Sequence, residues 1–236
     1  MANDKNQKDT GLQRLQGKHA LITDADAFMG PATAKHFAAE GARITQVTEP
    51  ISDESVANAH AEKHADVDIL VLNFAGANNY GKTVEDVTDA IITETFERMV
   101  YPLHRMVRAF APEMKSRGRG KIIVYGSAVP LRPMPRLSAY TAARGAQAAY
   151  VKSAGVELAK HNIQVNLIAQ NWVENPEYYP PELQAHPKFK ANLEREVPLG
   201  RLAKPEEDTA LAVFLASSES DFMVGQVIPF AGGWAS

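Results

Sequence analysis

His19-Ala-Leu-Ile-Thr23-Asp-Ala-Asp-Ala-Phe28-Met-Gly-Pro31-Ala-Thr-Ala-Lys-His-Phe-Ala-Ala-Glu40-Gly41 is the stretch whose reading decides the fold. Its first five residues are a short apolar run, the pattern of a strand buried on both faces. From Pro31 to Glu40 the composition turns helical. Pro31 suits a first helical turn, where its missing N–H is no loss, and Gly41 stands where a helix stops. The segment therefore predicts a strand, a loop and a helix.

The same alternation continues outward. Strands are predicted at Arg43–Val47, Asp68–Leu72, Lys121–Tyr125, Gln164–Ile168 and Gln226–Phe230, with a modest helix around Glu54–His64 and an Ala-rich helix from Tyr140 toward Lys160. Strands alternating with helices imply βαβ units. The expected fold is α/β, a single-domain Rossmann-like doubly wound parallel sheet flanked by helices, with its chemistry at the carboxyl ends of the strands. Residues 17–236 should form that one domain, after a polar tail of residues 1–16 that frays and has no apolar core of a signal peptide. Gln170 to Pro198, rich in proline and aromatics, reads as a lid or pocket-lining loop with short helical pieces.

Composition narrows the function. Of 236 residues, 45% are hydrophobic and 22% charged, ordinary for a globular protein, and the net charge of −3 offers no basic surface for nucleic acid or an anionic membrane. No apolar run approaches the roughly 20 residues that span a bilayer. The absence of cysteine excludes disulfides and thiolate metal sites and suits the cytoplasm. His60 and His64 can share a helix face, but Ala61 stands where a zincin needs Glu and no third ligand follows, so two solvated histidines and no metal are expected.

The chemistry lies in Ser127, then twelve residues, then Tyr140 and, four further on, Arg144. Ser127 follows a strand, and Tyr140 and Arg144 point from one face of a helix. Tyrosine is a poor base at neutral pH, and a fixed guanidinium beside it stabilises the phenolate. Ser127 can then hold a substrate oxygen while Tyr140 removes its proton.

From Lys18 to Trp234 the chain resembles a short-chain dehydrogenase/reductase. The marks are Ser127 and Tyr140, Asn73-Phe-Ala-Gly76, Pro198-Leu-Gly-Arg-Leu202, and Gly225-Gln-Val-Ile228 followed by Gly232-Gly233. Three departures select a branch. That family's cofactor loop reads Thr-Gly-x-x-x-Gly-x-Gly; here it reads Thr23-Asp24-Ala25-Asp26-Ala27-Phe28-Met29-Gly30. Asp24 and Asp26 set negative charge where a pyrophosphate would sit, and Phe28 fills space that a cofactor needs. Arg144 replaces the lysine that grips the nicotinamide ribose, and no asparagine occurs between Phe96 and Met114 to serve the family's proton relay. The segment between the second and third strands is trimmed, and Gln46-Val-Thr-Glu49 offers only a displaced carboxylate for the adenosine.

These departures are similar to halohydrin dehalogenases, which carry Thr-x4-Phe/Tyr-x-Gly in that loop and use no cofactor. The resemblance implies a vicinal haloalcohol or epoxide as substrate and a halide or other small anion as partner, with azide, cyanide and nitrite opening epoxides in reverse. It implies a halide cage of Gln170, Asn171, Trp172 and Val173 with Phe28 opposite, joined by Tyr179. Backbone N–H groups and the positive edges of aromatic rings are expected to hold the anion. It also implies a homotetramer built on the Ala-rich helix and the preceding one. The alternative reading is an ordinary NAD(P)-dependent short-chain dehydrogenase/reductase.

Overall fold

The computed structural model describes residues 12–76 and 81–236. In chain order it runs β1 (His19–Thr23), α1 (Gly30–Ala39), β2 (Arg43–Val47), α2 (Glu54–Lys63), β3 (Ile69–Leu72), α3 (Asp89–Met99), α4 (Tyr101–Arg117), β4 (Gly120–Tyr125), α5 (Ser138–Ala159), β5 (Ile163–Gln170), α6 (Pro181–Ala185), α7 (Pro187–Glu196), α8 (Pro205–Ala216) and β6 (Val227–Phe230). The strands form one all-parallel sheet in the order β2-β1-β3-β4-β5-β6. The chain reverses its direction of travel across the sheet between β1 and β3, which is where crevices open in such folds.

Successive strand residues face opposite sides, so each apolar strand feeds two cores. Leu21, Leu70, Leu72, Ile122, Val124 and Leu167 pack with side chains of α2, α4 and α5. Ala20, Ile22, Ile69, Val71, Ile123 and Ile168 pack with Phe37 of α1 and Ala212, Val213 and Leu215 of α8. Burying a side chain such as Leu70 or Phe37 stabilises the fold by about 2–3 kcal/mol each. Gly41 ends α1 with φ of +89°, the left-handed conformation that glycine adopts without strain.

Two expectations change. Of the expected tail, residues 1–11 lie outside the described residues, but residues 12–16 do not fray. Leu15 is fully buried against the α1 and α8 core, its N–H donates to Glu40 O at 3.0 Å, and Arg14 pairs with Glu40 at 2.8 Å. One buried leucine, the Arg14–Glu40 pair and the Gln13 side-chain amide on Ala39 O together dock it on α1. His60 and His64 are not a solvated pair either. Their rings stack 6.3 Å apart, His60 Nε2 lies 3.0 Å from Glu49, and His64 meets the buried His19 edge-on at 6.0 Å. No helix of the described residues is long and apolar enough to cross a membrane.

Candidate active site

The carboxyl ends of β1, β3, β4 and β5 converge on one crevice. Ser127 lies two residues past β4, and Tyr140 and Arg144 stand on the first turns of α5. All three are buried. The Ser127 oxygen accepts from Val129 N–H at 3.2 Å, which leaves the hydroxyl proton for a ligand. Arg144 lies flat against Tyr140, its guanidinium carbon 5.1 Å from the ring centroid. One terminal nitrogen donates to Tyr125 O (3.0 Å), Phe74 O (3.1 Å) and Gln147 Oε1 (2.9 Å), tying the ends of β3 and β4 to α5. Burial works against the charge of Arg144, but Tyr140 and Tyr178 outweigh it and its pKa lies above the ordinary guanidinium value. Gln147 turns its own amide to Met99 O (2.7 Å) and Phe74 O (3.3 Å) and so fixes the guanidinium plane. Its spacing of three from Arg144 was the available sequence signal.

The loop after β1 is folded on itself. Ala27 N–H donates to Asp24 O (3.1 Å) and Gly30 N–H to Ala27 O (2.9 Å), while the Asn73 side-chain amide donates to Asp24 O (3.0 Å) and Ala27 O (2.9 Å). The chain passes so close that a Cβ on Gly30 would overlap Asp24 O. Asp24 and Phe28 hold φ of +43° and +49°, left-handed conformations that cost a side-chain-bearing residue about 1–2 kcal/mol. The expected role of Asp24 needs correcting. Its carboxylate turns inward and is gripped by Arg98 at 2.8 and 3.3 Å, so it is an internal ion pair and not an open negative charge at the helix start. Burial raises the Asp24 pKa, with Arg98 opposing.

The opposite wall is the segment after β5, and Gln170 itself is the last residue of that strand. Gly126, Ser127, Val129, Tyr140, Gln170, Asn171, Trp172, Val173, Asn175, Tyr178 and Tyr179 surround a cavity of about 50 Å³. Trp172 is left-handed, at φ +60°. Its ring stacks on Tyr179 (5.9 Å), and both meet Phe189 of α7 (6.2 and 5.8 Å), so the start of the expected lid or pocket-lining segment does line this cavity. The expected backbone donors are largely spent: Asn171 N–H goes to Phe230 O and Trp172 N–H to Asn171 Oδ1, each at 3.0 Å. On this wall the side-chain N–H groups left buried without a protein partner are Asn171 Nδ2 and Trp172 Nε1, and Arg144 Nε is a third within the site.

Phe28 does not line this cavity directly. It reaches it through Tyr178, whose ring lies 5.2 Å away. Sequence reasoning chose Tyr179 and passed over Tyr178. Tyr178 donates to Gly76 O at 2.8 Å and so bridges the crevice from the β5 side to the β3 side. Asn175 directs it, accepting Tyr178 N–H on its side chain at 2.8 Å. That turn was announced by Asn175-Pro176, a turn-initiating pair, though neither residue says which of two adjacent tyrosines faces inward. Trp234 packs into this chain's own core, with Arg132 stacked over its ring at 5.0 Å.

The family model described as enoyl-(acyl carrier protein) reductase matches residues 17–235. The chain belongs to the short-chain dehydrogenase/reductase superfamily. Among relatives of this superfamily, 3-oxoacyl-acyl-carrier-protein reductase of Thermotoga maritima is 30% identical over 93% of this chain and 98% of its own. Dehydrogenase/reductase SDR family member 4 of Oryctolagus cuniculus is 27% identical over 93% and 94%. A solved structure described as a dehalogenation enzyme superposes with a TM-score of 0.86 at 30% identity, covering 94% of this chain and 99% of that one. A halohydrin dehalogenase bound to ethyl (2S)-oxiran-2-ylacetate superposes with a TM-score of 0.82 at 27% identity, covering 93% and 98%.

Dehydrogenases of this superfamily carry a dinucleotide in the crevice between the loop after β1 and the crossing helices, and the residues here do not fit one. The loop's N–H groups at Ala27 and Gly30 are bonded to its own carbonyls. Phe28 and Tyr178 meet across the crevice. Arg144 is committed to the strand ends, and Glu49, the displaced carboxylate after β2, is held by His60.

Proposed function

We propose that this short-chain dehydrogenase/reductase is a halohydrin dehalogenase, converting vicinal haloalcohols reversibly to epoxides with release of halide and a proton. One observation carries the reading: Phe28 packs on Tyr178 where a cofactor would pass, and Tyr178, Ser127 and Tyr140 together line a cavity of only about 50 Å³. A water site needs roughly 10–15 Å³ measured in this way, so the space suits a short carbon chain and one anion.

In this mechanism Ser127 donates a hydrogen bond to the substrate oxygen, and the Tyr140 phenolate takes the hydroxyl proton. Arg144, permanently charged and stacked under the ring, stabilises that phenolate. The oxygen then forms a bond to the neighbouring carbon as the carbon–halogen bond breaks, and the halide leaves with the electron pair. Holding oxygen, carbon and halogen in line lowers the barrier through orientation. The leaving anion is received by the cage of Gln170, Asn171, Trp172 and Val173, with Tyr179 behind Trp172 and Phe28 behind Tyr178. Its donors are the unpartnered Asn171 Nδ2 and Trp172 Nε1. Run in reverse, azide, cyanide or nitrite opens the epoxide. The same reading assembles a homotetramer through α4 and α5, whose outer faces carry the exposed Tyr101 and Val156.

The reductase relatives support the rival reading, an NAD(P)-dependent enzyme. The two part on a simple experiment. Purified protein with 1,3-dichloro-2-propanol and no nucleotide should release chloride and acid, and Tyr140→Phe should abolish the release. Undiminished release by that variant would sink the assignment of the base.

A further inference from the structure

Tyr178 is placed as more than a wall. Its ring is fixed by Phe28 at 5.2 Å and its hydroxyl by Gly76 O at 2.8 Å. Tyr178 lines the same small cavity as Tyr140, and its hydroxyl interacts with both Tyr140 and Arg144. A phenol has one proton to donate. While it points at Gly76 O, the Tyr178 oxygen can only accept from its other neighbours.

We propose that Tyr178 is a positioning residue for Tyr140, turning its O–H from the Gly76 carbonyl to the Tyr140 oxygen whenever Tyr140 is ionised. Two states follow. With Tyr140 protonated, Tyr178 donates to Gly76 O, the arrangement seen here. With Tyr140 ionised, Tyr178 rotates about its C–O bond and donates to the phenolate, a charge-assisted bond stronger than the one it gives up. No proton passes through Tyr178: the substrate's proton goes to Tyr140 and Tyr178 keeps its own. It is suited to keeping it. Burial, followed by the neighbouring Tyr140, holds its pKa far above the usual phenol value, with Arg144 opposing. The groups that face it are consistent with this. From α5 come Tyr140 and Arg144, and from the loop after β1 only the Phe28 ring. Arg98 of α3 lies against Gly76 but is paired with Asp24.

The inference rests on Tyr140 as the base of the proposed reaction, but its test needs no substrate. Near-ultraviolet tyrosinate absorbance is titrated against pH in the wild type and in Tyr140→Phe, and the step lost in Tyr140→Phe is that of Tyr140. In Tyr178→Phe, which keeps the ring against Phe28, that step should move up by about one pH unit, a tenfold effect of about 1.4 kcal/mol. The rate of halide release at neutral pH should fall about tenfold and recover at alkaline pH. 3-Fluorotyrosine placed at position 178, a stronger donor, should move the step down, and it serves if Tyr178→Phe does not fold. An unmoved step in either protein overturns the proposal. A shifted step in a protein that releases no halide upholds Tyr178 and removes the dehalogenase reading. Tyr140-dependent release with an unmoved step does the reverse.

Discussion

Replacing Phe28 separates two forces that the structure sets against each other. The residue sits at φ +49°, where a side chain costs about 1–2 kcal/mol relative to glycine. Its half-buried ring packs on Tyr178 at 5.2 Å. Full truncation of a buried Phe costs about 3–5 kcal/mol, so roughly half of that, about 2 kcal/mol, is at stake here. Phe28→Ala loses the ring and keeps the strain. Phe28→Gly loses the ring, removes the strain and gives back a little as extra chain entropy. The glycine variant should therefore be the more stable of the two by about 1 kcal/mol, a melting difference of about 2–4 °C in a chain of this size. Urea unfolding of the pair at one pH measures it, and both should fall below the wild type. If alanine equals or exceeds glycine, the loop does not hold the left-handed conformation, and the account of a crevice closed by Phe28 loses its footing.

Asp208 gives a pH test away from the site. It is fully buried on α8 with neither oxygen partnered, and burial alone raises its pKa to about 8. The fold therefore keeps a proton that the unfolded chain releases near pH 4, so this contribution to stability is complete below about pH 4. It is lost as pH rises to about 8, at up to about 1.4 kcal/mol per unit. Asp208→Asn should flatten that slope in denaturation curves between about pH 5 and 8, and an unchanged slope would assign it elsewhere. Arg144→Lys replaces the broad guanidinium over the Tyr140 ring by a compact ammonium on a shorter stem, and a buried acceptor that it no longer reaches should cost about 1–3 kcal/mol of stability. Its halide release should also drop at least tenfold, and wild-type melting and turnover in that variant would refute the role given to the guanidinium.

The fold was legible because the signals were local. β1, β3 and β4 are short, largely apolar runs closed by a polar or glycine-bearing loop, and α1 carries its own start and stop in Pro31 and Gly41. The triad was legible because the spacing of Ser127, Tyr140 and Arg144 follows from one strand edge and one helix face. What escaped depended on side chains meeting across long separations. Asp24 read as an open charge because Arg98 lies 74 residues away. Tyr178 was passed over because the inward member of a tyrosine pair is chosen by the Asn175 turn and by Gly76 O, about a hundred residues earlier in the chain. Leu15 looked like part of a tail because one apolar side chain shows no period.

Whether the crevice does haloalcohol chemistry without a nucleotide, as proposed, is decided in one preparation. Halide release from a vicinal bromohydrin is followed with no nucleotide added, and nicotinamide fluorescence is titrated in the same sample. Release should vanish in Tyr140→Phe, and neither NADH nor NADPH should bind saturably. Saturable binding of either nucleotide with no halide released would contradict it and make the protein a reductase.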